Sequence, residues 1–311
     1  MVRIIGFLVG LGFVGVLLIS LVVNAVDYFQ NPPEETAEHA FHLAPRDAGF
    51  GFQKPWGQFD QAQLQRGFQV YKEVCAACHS LKYVSFYELE GLGYNEAEIK
   101  AIANQWAIEV PTVNPDTGEA STRKALPSDR FPSPYANETA ARAANNNALP
   151  PDLSLITEAR EDGTDYVYSL LTGYKNPATY RNKEGEPLPP ENRPGQGLHF
   201  NPYFANLNIA MPPPIVSDGQ VTYADGTRAT VDQMSRDVAA FLRWTSEPNL
   251  ERRHAAGWAV LIFLIVATVL AYLAYRNIWA NAKREVSIRG PLEPAFQQRM
   301  QEQKDERGIA G

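Results

Sequence analysis

From Gly257 to Tyr275 the chain reads GWAVLIFLIVATVLAYLAY, without a single charge. At about 1.5 Å per residue such a run crosses the ~30 Å hydrocarbon layer of a bilayer, where only a helix or a closed barrel satisfies its own backbone. Trp258, Tyr272, Tyr275 and Trp279 stand at its rims like an aromatic belt. An apolar face all the way round is not the pattern of a helix half-buried in a soluble core. Arg276, Lys283, Arg284 and Arg289 follow the run, against Arg252 and Arg253 before it, so the positive-inside rule puts the C-terminal tail in the cytoplasm and the body outside. A second apolar run, Ile4 to Val26 behind Arg3, implies the same orientation. It exceeds the ~7–15 apolar residues of a cleaved signal, and Val23-Asn24-Ala25 is a poor cleavage site, so a retained anchor is the expectation.

Between these runs lies an acidic body. Asp27 to Glu251 holds thirty acidic and eighteen basic residues, whereas the segment from Arg252 onward is net positive. Nucleic-acid phosphates would be repelled by such a body, and a basic protein partner would be attracted. With 23 prolines and 22 glycines in the whole chain, a loop-rich body is expected rather than a helical bundle. Leu64, Gly67, Phe68, Tyr71, Val74, Cys75 and Cys78 recur at helical spacing behind an Asp60/Gln63 capping pattern. Val231 to Thr245 repeats that design behind Thr230 and Gln233. Shorter helices are predicted at Glu96 to Trp106, Glu138 to Asn145 and Asp165 to Leu171, with no convincing strand set. Long irregular stretches, Pro111 to Tyr135 and Asn176 to Pro214, ask for an internal template. The fold class is therefore mainly α. Its expected segments are a signal or anchor at 1–29, an extended linker at 30–56, the body at 57–250, a transmembrane helix at 255–279 and a cytoplasmic tail at 280–311.

Both cysteines of the chain fall in Cys75-Ala76-Ala77-Cys78-His79. A C-x-x-C-H run at the end of a helix is the pattern of c-type haem attachment: two thioethers to the haem vinyl groups, then a histidine nitrogen beneath the iron. The alternatives are weaker. A thioredoxin-like redox pair would accompany a βαβ pattern, which is absent. A zinc site needs further ligands, and His39, His42, His199 and His254 are scattered. A structural disulfide here closes too small a loop to stabilise much. Haem, in contrast, would itself fill a loop-rich core. For the sixth iron position the candidates are Met211, Met234, His199 and solvent. Met234 lies on an apolar helix face, the usual place for a packing methionine. Met211 precedes Pro212-Pro213-Pro214, whose fixed backbone can hold a thioether still, and this favours Met211.

Several stretches in order, FDQAQLQRGFQVYKEVCAACHSLKYV, AARAANNNALPPDLS, DYVYSLLTGY, GLHFNPYFANLNIAMPPPI and VTYADGTRATVDQMSRDVAAFLRWTSEP, followed by the membrane run, resemble the cytochrome c1 family of the ubiquinol:cytochrome c oxidoreductase (bc1) complex. The resemblance covers about Gly57 to Trp279. It implies a cytochrome c-type haem domain with one haem c bound through Cys75 and Cys78, and His79 and Met211 as iron ligands. It further implies that Arg160 pairs with a haem propionate, helped by Tyr166, that the Pro151 backbone accepts from the second His79 ring nitrogen, and that Asn145 to Asn147 border the haem edge. A capping and turn role explains those asparagines nearly as well.

The resemblance also implies a one-electron carrier that takes an electron from the Rieske iron–sulfur protein and passes it to a basic cytochrome c. No acid–base or nucleophilic catalysis belongs to the chain itself. Its last membrane helix would pack beside cytochrome b in a dimeric complex surrounded by lipid. The scarcity of arginine near the N-terminus argues against a mitochondrial transit peptide, so the expected setting is a bacterial inner membrane with the haem domain in the periplasm. The rival reading is a free-standing anchored c-type cytochrome serving another reductase or an oxidase. Its usual anchor is a single N-terminal helix, and Gly257 to Tyr275 speaks against it.

Overall fold

The computed structural model describes residues 2–31, 36–285 and 294–306, with no side-chain detail for 281–285. Residues 32–35 of the expected linker and residues 286–293, Arg289 among them, and 307–311 of the expected tail lie outside the described residues, and nothing is described of the Lys283 and Arg284 side chains. The helices are α1 (Val2–Gln30), α2 (Ala37–Phe41), α3 (Gln61–Val70), α4 (Glu96–Asn104), α5 (Glu138–Ala144), α6 (Gly163–Thr172), α7 (Val231–Ser246), α8 (Leu250–Glu285) and α9 (Pro294–Glu306). The strands are β1 (Val110–Val113), β2 (Ala120–Arg123), β3 (His199–Phe200) and β4 (Asn208–Ile209). The chain divides into two compact units, Met1–Phe50 with Phe59–Pro248, and Gly51–Gln58 with Asn249–Gly311.

In the first unit α1 is one unbroken helix with no buried residue, long and apolar enough to cross a membrane. The body is organised by α3 against α7, with α6 also packed on α7. Asp60 caps α3 by accepting from the Ala62 amide at 3.0 Å, one residue earlier than the expected Gln63 pairing. Thr230 caps α7 as anticipated, accepting from Gln233 N at 3.0 Å. The two helices meet at Gly67, where a Cβ would stand 2.0 Å from the Asp237 carbonyl oxygen, so only glycine allows this approach. Beside the crossing Arg66 donates to the fully buried Asp237, Nε to Oδ2 at 3.0 Å, and to Asp225 at 2.7 Å. Around it Phe68, Tyr71, Phe86, Trp106, Phe131 and Phe241 form one aromatic core, with Phe86 and Phe131 centroids 4.2 Å apart. Rings of this size contribute both buried area and edge-to-face pairing.

Two small antiparallel hairpins were absent from the sequence expectation. β1 pairs β2 with Val110 opposite Arg123, and β3 pairs β4 with His199 opposite Ile209. β1 and β2 bury almost nothing, so no apolar alternation marks them. Their connection is fixed by turn chemistry: Asn114 and Glu119 pair through their backbones and Gly118 adopts φ +73°.

The structure corrects the expected linker. Residues 36–50 are woven into the body: Phe41 joins Leu188, Phe200 and Leu207 in a buried cluster. Ala48 N donates to Asp165 at 2.8 Å, Arg46 N donates to Ser169 Oγ at 2.8 Å, and the Arg46 guanidinium lies 5.0 Å from the Tyr168 ring centroid. This strap grips α6.

In the second unit α8 contains the second apolar span, Leu250–Ala280. Within the same unit Trp56 stacks on Trp258 with centroids 4.7 Å apart, Trp258 Nε1 donates to Pro55 O at 3.0 Å, and His254 Nδ1 donates to Gly57 O at 3.2 Å. His254 is thus committed to a backbone contact.

Candidate haem site

α3 does not run straight into the cysteines. From Tyr71 to Cys75 the backbone widens into a π turn in which the Ala76 amide reaches back to Tyr71 O at 2.8 Å. Such single wide turns re-aim side chains and occur often at functional sites. A tighter turn follows, with Cys78 N and His79 N both donating to Cys75 O, at 3.1 and 2.9 Å. Cys75, Cys78 and His79 therefore occupy one compact turn. Buried Tyr71 seals it from below, its hydroxyl donating to His79 O at 3.0 Å.

The His79 ring is set by the segment 150–154. Nδ1 lies 2.8 Å from Pro151 O. A carbonyl only accepts, so Nδ1 carries the proton and the Nε2 lone pair is left for a ligand. Burial lowers the His79 pKa, opposed by the Pro151 bond and by nearby Asp152, and the ring stays neutral at physiological pH. Asp152 locks the segment in place, accepting from Ser80 Oγ at 2.7 Å, Lys82 N at 2.8 Å and Ser154 N at 3.0 Å. Leu153 N adds a bond to Ser80 O at 2.9 Å.

Both cysteines are free and half-buried. Burial, with a smaller contribution from Cys78, pushes the Cys75 thiol up to about 12. That is the opposite of the lowered pKa of a redox-active cysteine. Among the described residues no three His, Cys, Asp or Glu side chains gather as a metal-binding group. The donor set suits haem: two free cysteines on one turn and an imidazole oriented through its far nitrogen.

The remaining expected residues fall into two sets. Met211 follows strand β4 by two residues and is half-buried, its carbonyl accepting from Tyr174 Oη at 3.0 Å. Arg160 is exposed and hydrogen-bonded to the Tyr166 hydroxyl, with Nη1 also on Ala159 O at 2.9 Å. Tyr166 and Tyr174 are close enough to interact electrostatically. Met234 is fully buried on α7 and His199 is half-buried in β3. Asn145 ends α5, its amide donating to Ala141 O at 2.7 Å and Tyr135 Oη at 2.9 Å, while Asn146 and Asn147 adopt φ +50° and +63°. The turn role is therefore what these asparagines display. Tyr174, Tyr71 and Asp152 were not singled out from sequence. Only Asp152, an aspartate after two prolines, carried a local turn signal.

Residues 50–282 match the model of the Cytochrome C1 family. The chain belongs to that family. It is 44% identical over 233 residues to a cytochrome c1 of Rhodospirillum rubrum, covering 73% of this chain and 85% of the relative. It is 41% identical over 283 residues to a mitochondrial cytochrome c1 heme protein of Arabidopsis thaliana, covering 89% and 82%. A Bradyrhizobium diazoefficiens protein named cytochrome b/c1 is 42% identical over 255 residues, which is 75% of this chain and 35% of that longer protein. As a cytochrome c1 family member the chain is a haem electron-transport protein of respiratory complex III, and its two apolar helices fit membrane anchoring. The family match begins at residue 50, so most of the strap at 36–50 precedes it.

Proposed function

We propose that this cytochrome c1 family chain carries one electron at a time from the Rieske iron–sulfur protein to a basic cytochrome c, through one haem c joined to Cys75 and Cys78. When bound, the haem supplies an iron that alternates between ferrous and ferric states. The observation that carries the reading is the His79 ring, protonated at Nδ1 by its bond to Pro151 O and so presenting Nε2, on the same turn as the two free cysteines. His79 and Met211 would hold the iron, and a histidine–methionine pair gives a higher potential than two histidines. Arg160, hydrogen-bonded to Tyr166, would fork onto a propionate. No group of the chain takes or gives a proton in this transfer, so the chain contributes to quinol–cytochrome-c reduction as a carrier alone.

The acidic body, residues 57–250 with the strap, stands in the periplasm of a bacterial inner membrane, and the tail after α8 in the cytoplasm. The cations flanking α8 and Arg3 before α1 support that orientation. α8 packs beside cytochrome b; the name of the Bradyrhizobium relative, which joins b and c1, supports this partnership. The acidic surface steers the basic acceptor. Purification in mild detergent tests the assembly: the account expects a b-type cytochrome and a Rieske protein to accompany the chain, and isolation alone at full haem content would refute it.

A further inference from the structure

Met211 begins a stretch with few backbone anchors. Pro212, Pro213 and Pro214 have no N–H to donate. The β4 pairing ends at Ile209, and on the far side of the prolines Gln220 Nε2 donates to Pro214 O at 2.8 Å. Among the described residues, the Tyr174 hydroxyl is the one group that hydrogen-bonds the backbone between Ala210 and Pro213, at 3.0 Å from Met211 O.

Tyr174 is itself held rigidly. It follows α6, and the turn there is clamped at Gly173, where a Cβ would lie 2.4 Å from Tyr203 Cδ2 and 2.5 Å from Ser169 O. Fully buried Asn201 donates to Leu170 O at 2.8 Å, and Lys175 N donates to Phe200 O at 3.3 Å, so the backbone is pinned on both sides of the tyrosine. Burial raises the Tyr174 pKa, which keeps the hydroxyl a donor at any physiological pH. α6 thereby reaches both halves of the site, through Tyr166 to Arg160 and through the turn after its end to Met211.

We propose that Tyr174 is a positioning residue for the axial methionine: its hydroxyl fixes the Met211 carbonyl and so keeps the thioether aimed at the iron. This rests on Met211 being the sixth ligand. Without the bond, Met211 leaves the iron more often, by a factor of about five for a neutral hydrogen bond of ordinary strength.

The test uses the full haem-loaded chain in native membranes. Tyr174→Phe keeps the ring and removes only the hydroxyl; Tyr168→Phe removes a hydroxyl of α6 that bonds Asp232 and leaves the Met211 bond; Met211→Leu opens the sixth position outright. Carbon monoxide binding to the reduced haem reports how often that position is vacant, and the alkaline pyridine spectrum reports covalent haem separately. The expected results are a roughly fivefold rise in carbon monoxide affinity for Tyr174→Phe, a much smaller change for Tyr168→Phe, and unaltered covalent haem in both. Wild-type carbon monoxide behaviour in Tyr174→Phe, with Met211→Leu fully open, overturns the proposal. An equal rise in Tyr168→Phe also overturns it, because the effect would then be one of general loosening. Wild-type behaviour in Met211→Leu overturns instead the ligand assignment beneath it.

Discussion

Gly67→Ala isolates the close helix crossing on which the haem-bearing turn is mounted. In an isolated helix the change gains about 1 kcal/mol in propensity. Here the new Cβ would stand 2.0 Å from Asp237 O, 2.7 Å from Asp237 C and 2.7 Å from Phe241 Cβ. Two of these are backbone atoms, so no rotamer change relieves the clash. Relief to a tolerable contact of 3.0 Å needs α3 and α7 to part by roughly 1 Å. That movement loosens the Phe68 and Tyr71 contacts with Phe241, whose centroids lie 5.6 and 5.7 Å away. Overpacking of this kind costs typically about 1–3 kcal/mol and sometimes more, and close-packed cores absorb little of it. With the propensity gain deducted, a net loss on the order of 1 kcal/mol is expected, a fall in Tm of roughly 2–4 °C for a body of this size. Thermal melts of the haem-loaded protein at one fixed scan rate, followed by circular dichroism and by the Soret band, measure it. The sign decides: an unchanged or raised Tm would refute the crossing geometry, since propensity alone pushes upward.

Asp237→Ala should destabilise by roughly 3 kcal/mol, the low end for a broken buried pair because Arg66 keeps Asp225; Arg66→Met with Asp237→Leu should recover most of that in the same melt. Recovery absent from the pair would argue against a discrete ion-pair role. Asp152→Ala removes the acceptor of three hydrogen bonds that hold segment 150–154 to residues 80–82 and to itself. A loss of roughly 2–3 kcal/mol is expected, and ring NMR of His79 should show a weakened Nδ1–H bond; an undisturbed ring would separate Asp152 from the site. Met211→Leu should lower the reduction potential by on the order of 0.1 V in a redox titration, and an unchanged value would exclude Met211 as ligand. The rate of electron delivery to a basic cytochrome c should fall steeply as salt rises; a flat profile in stopped flow would remove the steering role of the acidic body.

What could be seen in the sequence followed from local chemistry. The Cys75-to-His79 spacing, the capped amphipathic pattern of α7 and the uncharged span in α8 each announce themselves within a few residues. The Pro151 contact with His79 came only through family resemblance, since its partners are 72 positions apart. Other features were hidden because they depend on what lies across the fold. Gly67 was visible on an apolar helix face, but its necessity came from Asp237 on another helix. Asp237 itself sits within the apolar stripe between Met234 and Phe241, a charged residue where the pattern forbids one, and that conflict was a readable sign of a buried partner. The strap at 36–50 was taken for a linker because its buried residues, Phe41, Ala48 and Phe50, follow no period. The β1–β2 hairpin escaped because exposed strands carry no alternation.

The account depends above all on haem being joined to this chain through both sulfurs. Intact mass of the mature, exported protein after denaturation and treatment with a thiol-alkylating reagent tests it directly. The prediction is a chain heavier by one haem, with neither Cys75 nor Cys78 alkylated. A bare chain carrying two alkyl groups, or one with a Cys75–Cys78 disulfide, would contradict it.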